Sequence, residues 1–236
     1  MSVVTPEQRH TIDCVVAIFE TGRVPTAASY GTCSILNDGA GISYGKHQCT
    51  DKAGSLDLVC KRYIELGGQQ AEPLKQFMNY LATNESAKFT SDRSKYPAWL
   101  NSLINLLKSA GSDPLMQQAQ DEVFDKNYWL PAENQCKEIG LKTALGHLVV
   151  YDTCIHSGPG RVGILRKGFP EKSPANGGDE KAWVLALLKA RRAWLASSSN
   201  ELVQRTVYRI DAMVEIANAG NWDLALPLTV RKVKIG

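Results

Sequence analysis

Apolar residues near the N-terminus recur at intervals of three and four positions, which is the spacing of an amphipathic helix. The stripe consists of Ile12, Val15, Val16 and Phe19. Thr5 supplies an N-cap, Pro6 fits the first helical position, and Gln8 completes a capping box. Gly22 is a typical residue after a helix end. The pattern therefore predicts a helix whose last turn contains Glu20.

The pattern changes between residues 30 and 49. Short, mostly apolar runs at 33–36 and 41–45 flank the turn sequence Asn37-Asp38-Gly39. Such a turn between two short runs predicts a β-hairpin. No other segment of the sequence favours strands as clearly, so we expect an α+β fold that is mainly α.

Helical periodicity dominates the rest of the chain, and glycine, proline or polar clusters separate its segments. The predicted helices lie at 55–66, 72–82, 97–109, 114–127, 132–156, 179–197 and 200–218. No internal repeat divides the sequence. We therefore predict a single catalytic domain over residues 1–236, with two lobes and the hairpin lining a cleft between them.

Composition narrows the classes of function. The chain has 236 residues, of which 44% are apolar, so it can bury a substantial core. The net charge of +3 is small and evenly spread, which argues against a nucleic-acid partner. No apolar run is long enough for a membrane span, and the N-terminus lacks the pattern of an export signal.

The sequence contains six cysteines, an even number without a Cys-x-x-Cys pair or a Cys/His cluster. This pattern favours the disulfides of an exported enzyme over a metal site, so we expect an extracellular protein without bound metal. Six reduced core thiols are the alternative. On the predicted helix 132–156, Cys136 and Cys154 would lie about 27 Å apart and could not pair with each other.

Two carboxylates have positions suited to acid and base chemistry. Glu20 lies at a helix C-terminus, where the helix dipole disfavours ionisation of a carboxyl, as a general acid requires. Asp38 lies at the hairpin tip and could act as a base toward water. Ser43, on the returning strand, could hold that water. A solvated helix-end glutamate and an Asx-turn aspartate are the ordinary interpretation.

Several segments of the chain follow the order of a known family. They are Gln117-Gln118-Ala119-Gln120, Tyr128 with Pro131-Ala132, Leu148 to Asp152 ahead of Gly158-Pro159-Gly160, Gly177-Gly178-Asp179-Glu180, and Ala219-Gly220-Asn221 ahead of Asp223-Leu224 and Pro227-Leu228. Together they resemble the glycoside hydrolase family 46 chitosanases, which have a lysozyme-like fold. The resemblance covers nearly the whole chain.

The resemblance implies specific roles. Glu20 matches the family's general acid, Asp38 its general base, and Ser43 a threonine that positions the attacking water. The family buries a charge network behind the glutamate, and the similar residues here are Asp152, Arg209 and either Arg191 or Arg192. An inverting mechanism is implied, with the two carboxyls about 6.5–9.5 Å apart. No cofactor is required.

The implied partner is a polysaccharide, with chitosan favoured, bound by a monomeric enzyme. The candidate binding residues are Tyr30, Tyr44, Lys46, His47, Gln48, Asp51 and Asp57. Asp51 and Asp57 are included because Gly54 or Ser55 stands where the family has a recognition aspartate. Two alternatives remain open, namely a muramidase-like enzyme that cuts peptidoglycan and a non-catalytic carbohydrate-binding module.

Overall fold

The computed structural model describes residues 3–236, which cluster into two compact units. One unit comprises residues 3–24 and 127–236, and the other comprises residues 25–126. In chain order the helices are α1 (Pro6–Thr21), α2 (Ser55–Glu65), α3 (Ala71–Lys75), α4 (Met78–Ala82), α5 (Ala98–Ala110), α6 (Pro114–Phe124), α7 (Leu130–Ile139), α8 (Ala144–Ser157), α9 (Arg161–Arg166), α10 (Glu180–Ala196), α11 (Glu201–Gln204) and α12 (Tyr208–Asn218).

The strands form two small antiparallel sheets. The first contains β1 (Cys33–Ile35), β2 (Ile42–Tyr44) and β3 (Cys49–Thr50), with β2 in the centre. The second pairs β4 (Leu228–Val230) with β5 (Val233–Ile235). The predicted class, mainly α with a small antiparallel sheet, is confirmed. The prediction that residues 1–236 form one catalytic domain stays a prediction.

Helix α1 begins as its sequence predicts. The N–H of Gln8 donates to Thr5 Oγ1 at 3.2 Å, and the N–H of Thr5 donates to Gln8 Oε1 at 3.0 Å. Gly22 ends the helix with a φ of 75°, a left-handed conformation that glycine adopts without strain. Glu20 therefore lies in the last turn, as expected.

Helix α8 is the buried centre of its unit. Every residue from Ala144 to Cys154 is buried, and the helix packs against α1, α7, α9, α10 and α12. A polar side chain on such a helix must find its partners inside the protein. This applies directly to Asp152, which is 0% exposed.

The long helix predicted over 132–156 is wrong. The chain forms α7 and α8 instead, with a break at Gly140, whose φ is 85°. A Cβ at this position would lie 2.7 Å from the backbone nitrogen of Ala175, so the close approach also requires glycine. Cys136 and Cys154 consequently lie on two helices that pack together, and the geometric limit on their pairing does not hold.

The predicted disulfide framework is also wrong, since no disulfide links the cysteines of the described part of the chain. All six are buried, where a thiol packs as a small apolar side chain. Burial raises the pKa of Cys33 and of Cys49 to about 12, so these thiols resist forming the reactive thiolate. Within residues 3–236, no helix combines the length and apolarity that crossing a bilayer demands.

The hairpin formed by β4 and β5 was not predicted. Its turn residues Arg231 and Lys232 have φ values of 49° and 68°, so both adopt the left-handed conformation. Hairpin turns of this kind normally carry glycine or asparagine. The sequence therefore lacked the usual signal for a turn at this place.

Candidate active site

Glu20 projects from the end of α1 with 43% of its side chain exposed. Its Oε1 accepts a hydrogen bond from Nη2 of Arg209 on α12. Among the described residues, Oε2 has no protein partner. One oxygen is thus fixed by a cation, and the other is free to meet a ligand.

A buried ion network lies behind this contact. Nη1 of Arg209 donates to Oδ1 of Asp152 at 2.7 Å, and Nη1 of Arg191 donates to Oδ2 of the same carboxylate at 2.7 Å. The side chains of Asp152, Arg191 and Arg209 are 0%, 0% and 3% exposed. Two guanidinium groups thus share one buried carboxylate, and one of them, Arg209, also contacts Glu20.

The charges of this network shift the pKa values of Asp152 and His156. Burial by itself would raise the pKa of Asp152, but the charges of Arg191 and Arg209 outweigh burial and hold that pKa below its usual value. His156 lies near the same cations, and burial together with Arg209 and Arg191 lowers its pKa to about 4. His156 is therefore neutral near pH 7.

The structure decides between the two arginines left open by the sequence. Arg191 faces Asp152, whereas Arg192 pairs with Asp211 at 2.7 Å. The side chains of Arg192 and Asp211 are 50% and 45% exposed, so this second pair is a surface ion pair. Arg191 is the member of the buried network.

Asp38 lies in the other unit, in the turn between β1 and β2. Its Oδ1 accepts the backbone N–H of Ala40 at 3.0 Å, which forms an Asx turn. Gly39 and Gly41 both have positive φ, at 71° and 73°. The Asx turn orients the carboxylate, and Asp38 itself is exposed.

Ser43 occupies the centre of β2, opposite Ser34 of β1 and Thr50 of β3. It is 6% exposed, so only a small part of it is accessible. Its proposed role in holding a water stays a prediction.

Two candidate binding residues are buried, and their prediction is corrected. Tyr44 is 0% exposed, and its hydroxyl donates to the Leu107 carbonyl at 2.7 Å. Asp51 is 0% exposed, and its Oδ2 accepts both the N–H and the hydroxyl of Ser86, at 3.0 and 2.5 Å. Burial raises the pKa of Asp51, although these bonds from Ser86 oppose the shift. Both side chains support the fold and cannot stack on a sugar or meet its ammonium group.

Asp57 is more accessible, but its carboxylate already pairs with a lysine. Its side chain is 14% exposed, and Oδ2 accepts from Nζ of Lys61 at 2.6 Å. Among residues 3–236, Oδ1 is buried without a hydrogen-bond partner. A ligand cation can reach this carboxylate only at Oδ2, beside Lys61 or in its place.

Asp121 joins three of the remaining candidates. The Tyr30 hydroxyl donates to its Oδ2 at 2.7 Å, while Lys46 Nζ and His47 Nε2 lie 3.3 and 2.8 Å from its Oδ1. Burial would raise the pKa of Asp121, but hydrogen bonds from His47 and Tyr30 and the charge of Lys46 lower it to about 2. Gln48 turns back on the chain instead, since its Nε2 donates to the Gly45 carbonyl at 2.8 Å.

The similarity of the whole chain to known proteins identifies the family. Residues 14–228 match the sequence profile of Glycosyl hydrolase family 46. The chain belongs to this family. As a family 46 member it is a glycoside hydrolase. Chitosanase from Bacillus subtilis (strain 168) is 30% identical over 241 residues, which cover 98% of this chain and 84% of that protein.

Solved structures of chitosanases show the same fold. A mutant chitosanase from Bacillus subtilis MY002, complexed with 6 GlcN, superposes with a TM-score of 0.80 at 27% identity, and the match covers 98% of each chain. The GH46 chitosanase GsCsn46A of Gynuella sunshinyii, complexed with chitotetraose, gives a TM-score of 0.78 at 26% identity, again over 98% of each chain.

Sequence reasoning assigned no role to two polar residues, Asp121 and Gln120, that contact the candidate binding residues. Asp121 lies on α6 and has no local feature that marks it. Gln120, its neighbour, is 0% exposed, accepts the N–H of Lys46 at 3.1 Å and donates to the carbonyl of Tyr30 at 3.0 Å. The sequence marked Gln120 only as part of a segment that resembles the family. Its contacts show that this residue holds Lys46 and Tyr30 in place.

Proposed function

We propose that this family 46 member is an endo-acting chitosanase, which cleaves β-1,4 linkages between glucosamine units with inversion of configuration. The observation that carries the proposal is the full-length similarity to chitosanases, including one complexed with 6 GlcN. A non-catalytic carbohydrate-binding module would have no need of a carboxylate held by a buried ion network.

The proposed reaction uses the two carboxyls in opposite roles. Glu20 transfers a proton to the leaving glycosidic oxygen as the bond from that oxygen to the anomeric carbon breaks. Asp38 takes a proton from a water whose oxygen forms the new bond to the same carbon. Glu20 then takes up a proton from solvent and Asp38 releases one, so the enzyme returns to its starting state.

Arg209 positions the Glu20 carboxyl at the end of α1. Because Arg209 contacts only Oε1, we propose that the transferred proton is carried on Oε2. Asp152 holds Arg209 in place, so the guanidinium fixes the direction in which Oε2 points.

Chitosan is favoured over peptidoglycan because the similar proteins are named chitosanases and two are complexed with glucosamine oligomers or chitotetraose. An ammonium group on each sugar calls for acidic partners. Asp51 is buried and cannot supply one. Asp57 remains the proposed partner, with the sugar ammonium replacing Lys61 at Oδ2.

We further propose that the enzyme acts outside the cell as a monomer. A long polysaccharide does not cross a membrane, so a hydrolase that cuts within the polymer must meet it externally. One chain supplies Glu20, its buried network and the Asp38 turn, so no second copy is needed to complete these parts.

The test compares reducing ends released from fully deacetylated chitosan and from purified peptidoglycan by the same preparation. We expect rapid release from chitosan together with a fast fall in viscosity, which marks cleavage within the chain. Release from peptidoglycan alone would replace the chitosanase proposal with a muramidase. Binding to chitosan without release from either polymer would favour a non-catalytic module.

A further inference from the structure

The turn that carries Asp38 is held on its N-terminal side by Asn37. Oδ1 of Asn37 accepts both the N–H and the hydroxyl of Ser91, each at 3.0 Å. Ser91 follows 54 residues later in the chain, so this contact ties the hairpin to a separate segment of the same unit. Both donors converge on one oxygen, which fixes the position of the residue immediately before Asp38.

A second contact holds the turn on its C-terminal side. The N–H of Ile42 donates to Oγ of Ser86 at 2.8 Å, and Ser86 in turn donates to the buried Asp51 carboxylate. Gly41 lies directly against this serine, since a Cβ at Gly41 would be 2.5 Å from Ser86 Oγ. Ser86 is 1% exposed, so this anchor is part of the core.

The backbone between these two hydrogen-bonded ends of the turn is intrinsically flexible, so the contacts at both ends are needed to hold it. Gly39 and Gly41 give this short turn more backbone freedom than any other residue type would. The carbonyl of Ala40 accepts from the N–H of Lys52 at 3.1 Å, and its N–H holds Oδ1 of Asp38. Among the described residues, Oδ2 of Asp38 accepts no hydrogen bond from the protein.

We propose that Asn37 is a positioning residue for Asp38, acting through its double hydrogen bond from Ser91. The proposal rests on the proposed function, in which Asp38 is the base. A base must lie within hydrogen-bond reach of the water that it deprotonates. Misplacement of a reacting group by about 1 Å can cost on the order of 10²-fold in rate. Ser86 and Asp51 fix the far end of the turn, so Asn37 controls the remaining freedom.

The test measures kcat and KM on a glucosamine hexamer, together with the thermal midpoint of each variant. Asn37→Ala should lower kcat by about 10- to 100-fold with KM changed less than about twofold. Because Asn37 and Ser91 are both exposed, the thermal midpoint should move by only a few degrees. Ser91→Ala should lower kcat less, since the backbone N–H still donates. Ser91→Thr, which keeps the hydroxyl, should restore most of the loss.

Ser94→Ala is the matched control. Ser94 lies in the same segment and donates its hydroxyl to Asp92 at 2.6 Å, so this change removes a similar bond without touching Asn37. Its kcat should equal that of the wild type. The double variant of Asn37→Ala with Ser91→Ala should be no slower than Asn37→Ala alone, because both remove the same contact.

A wild-type kcat in Asn37→Ala would overturn the positioning role. If Asn37→Ala fails to fold, equal kcat values for Ser91→Ala and Ser91→Thr would overturn it instead. Failure of the proposed function has a different signature, namely near wild-type turnover by Asp38→Asn. A slow Asp38→Asn beside a fast Asn37→Ala therefore rejects only the positioning proposal.

Discussion

Arg209 donates one N–H to Glu20 and another to Asp152, so a half-exposed carboxyl at a helix end is tied to the most buried helix of its unit. The contact joins α1, α12 and α8 through a single guanidinium. We infer that Glu20 keeps a fixed orientation because Arg209 cannot move without losing its hydrogen bond to Oδ1 of the buried Asp152.

Loss of the Asp152 charge should destabilise the protein strongly. Asp152→Asn leaves Arg191 and Arg209 buried with one carboxylate fewer, and breaking a buried ion pair in this way costs about 3–5 kcal/mol. The free energy of unfolding, measured by urea denaturation at pH 7, should fall by this amount.

Asp211→Asn is the control for that experiment. Asp211 pairs with Arg192 in similar geometry, but both side chains are about half exposed. An exposed pair contributes little to stability, because water and salt screen the two charges. Equal losses in Asp152→Asn and Asp211→Asn would show that burial of the network adds nothing to stability.

Acid should destabilise the fold partly through His156. Its pKa is about 4 in the folded chain, compared with about 6.5 for an unperturbed histidine. Between these values the unfolded chain binds a proton that the folded chain does not, so unfolding becomes easier as pH falls from about 6.5 to about 4. The stability present above pH 6.5 is lost across this window.

The measurement compares urea unfolding at pH 7 and pH 5. His156→Gln should lose less stability between these pH values than the wild type does. Part of the loss should remain, because burial also lowers the pKa of His147. If His156→Gln loses as much stability as the wild type between pH 7 and pH 5, His156 does not contribute to the acid destabilisation.

The thiols should be reduced and slow to react. All six cysteines are buried, and burial raises the pKa of Cys154 to about 11. Ellman's reagent should modify the native protein slowly and titrate six thiols after denaturation without reductant. Fewer than six thiols in the denatured chain would reveal a disulfide.

Asp57 and Lys61 should act in opposite directions on substrate affinity. If the sugar ammonium replaces Lys61 at Asp57 Oδ2, Asp57→Asn raises KM for a glucosamine oligomer by about tenfold, the size of a charge-assisted hydrogen bond. Lys61→Gln removes the competitor and lowers KM. Lys75→Gln, which removes the partner of exposed Glu72, is the control. Equal KM values in all variants would exclude Asp57 from recognition.

Local signals in the sequence predicted the elements that carry the two carboxyls. The capping box of Thr5 and Gln8 and the end at Gly22 depend on neighbouring residues, and so does the turn at Asn37-Asp38-Gly39. The break at Gly140 was missed because a helical pattern tolerates a single glycine. The packing of Ala175 against this glycine comes from a distant segment and leaves no local signal.

The contacts that hold the site could not be predicted in this way. Asn37 meets Ser91, and Glu20 meets Arg209 across 189 positions. Such pairs leave no periodic signal, since they depend on how helices and turns pack. The resemblance to family 46 indicated Asp152, Arg191 and Arg209, but only the structure distinguished Arg191 from Arg192.

The most direct test of the account is the turnover of Glu20→Gln on a glucosamine hexamer. Glutamine keeps the size and an oxygen for Arg209 but cannot donate the catalytic proton. We predict that kcat falls by at least about 10²-fold while the thermal midpoint changes by only a few degrees. Glu215→Gln, at an exposed glutamate on α12, should keep full activity. Near wild-type turnover by Glu20→Gln would contradict the role of Glu20 as the acid and, with it, the proposed mechanism.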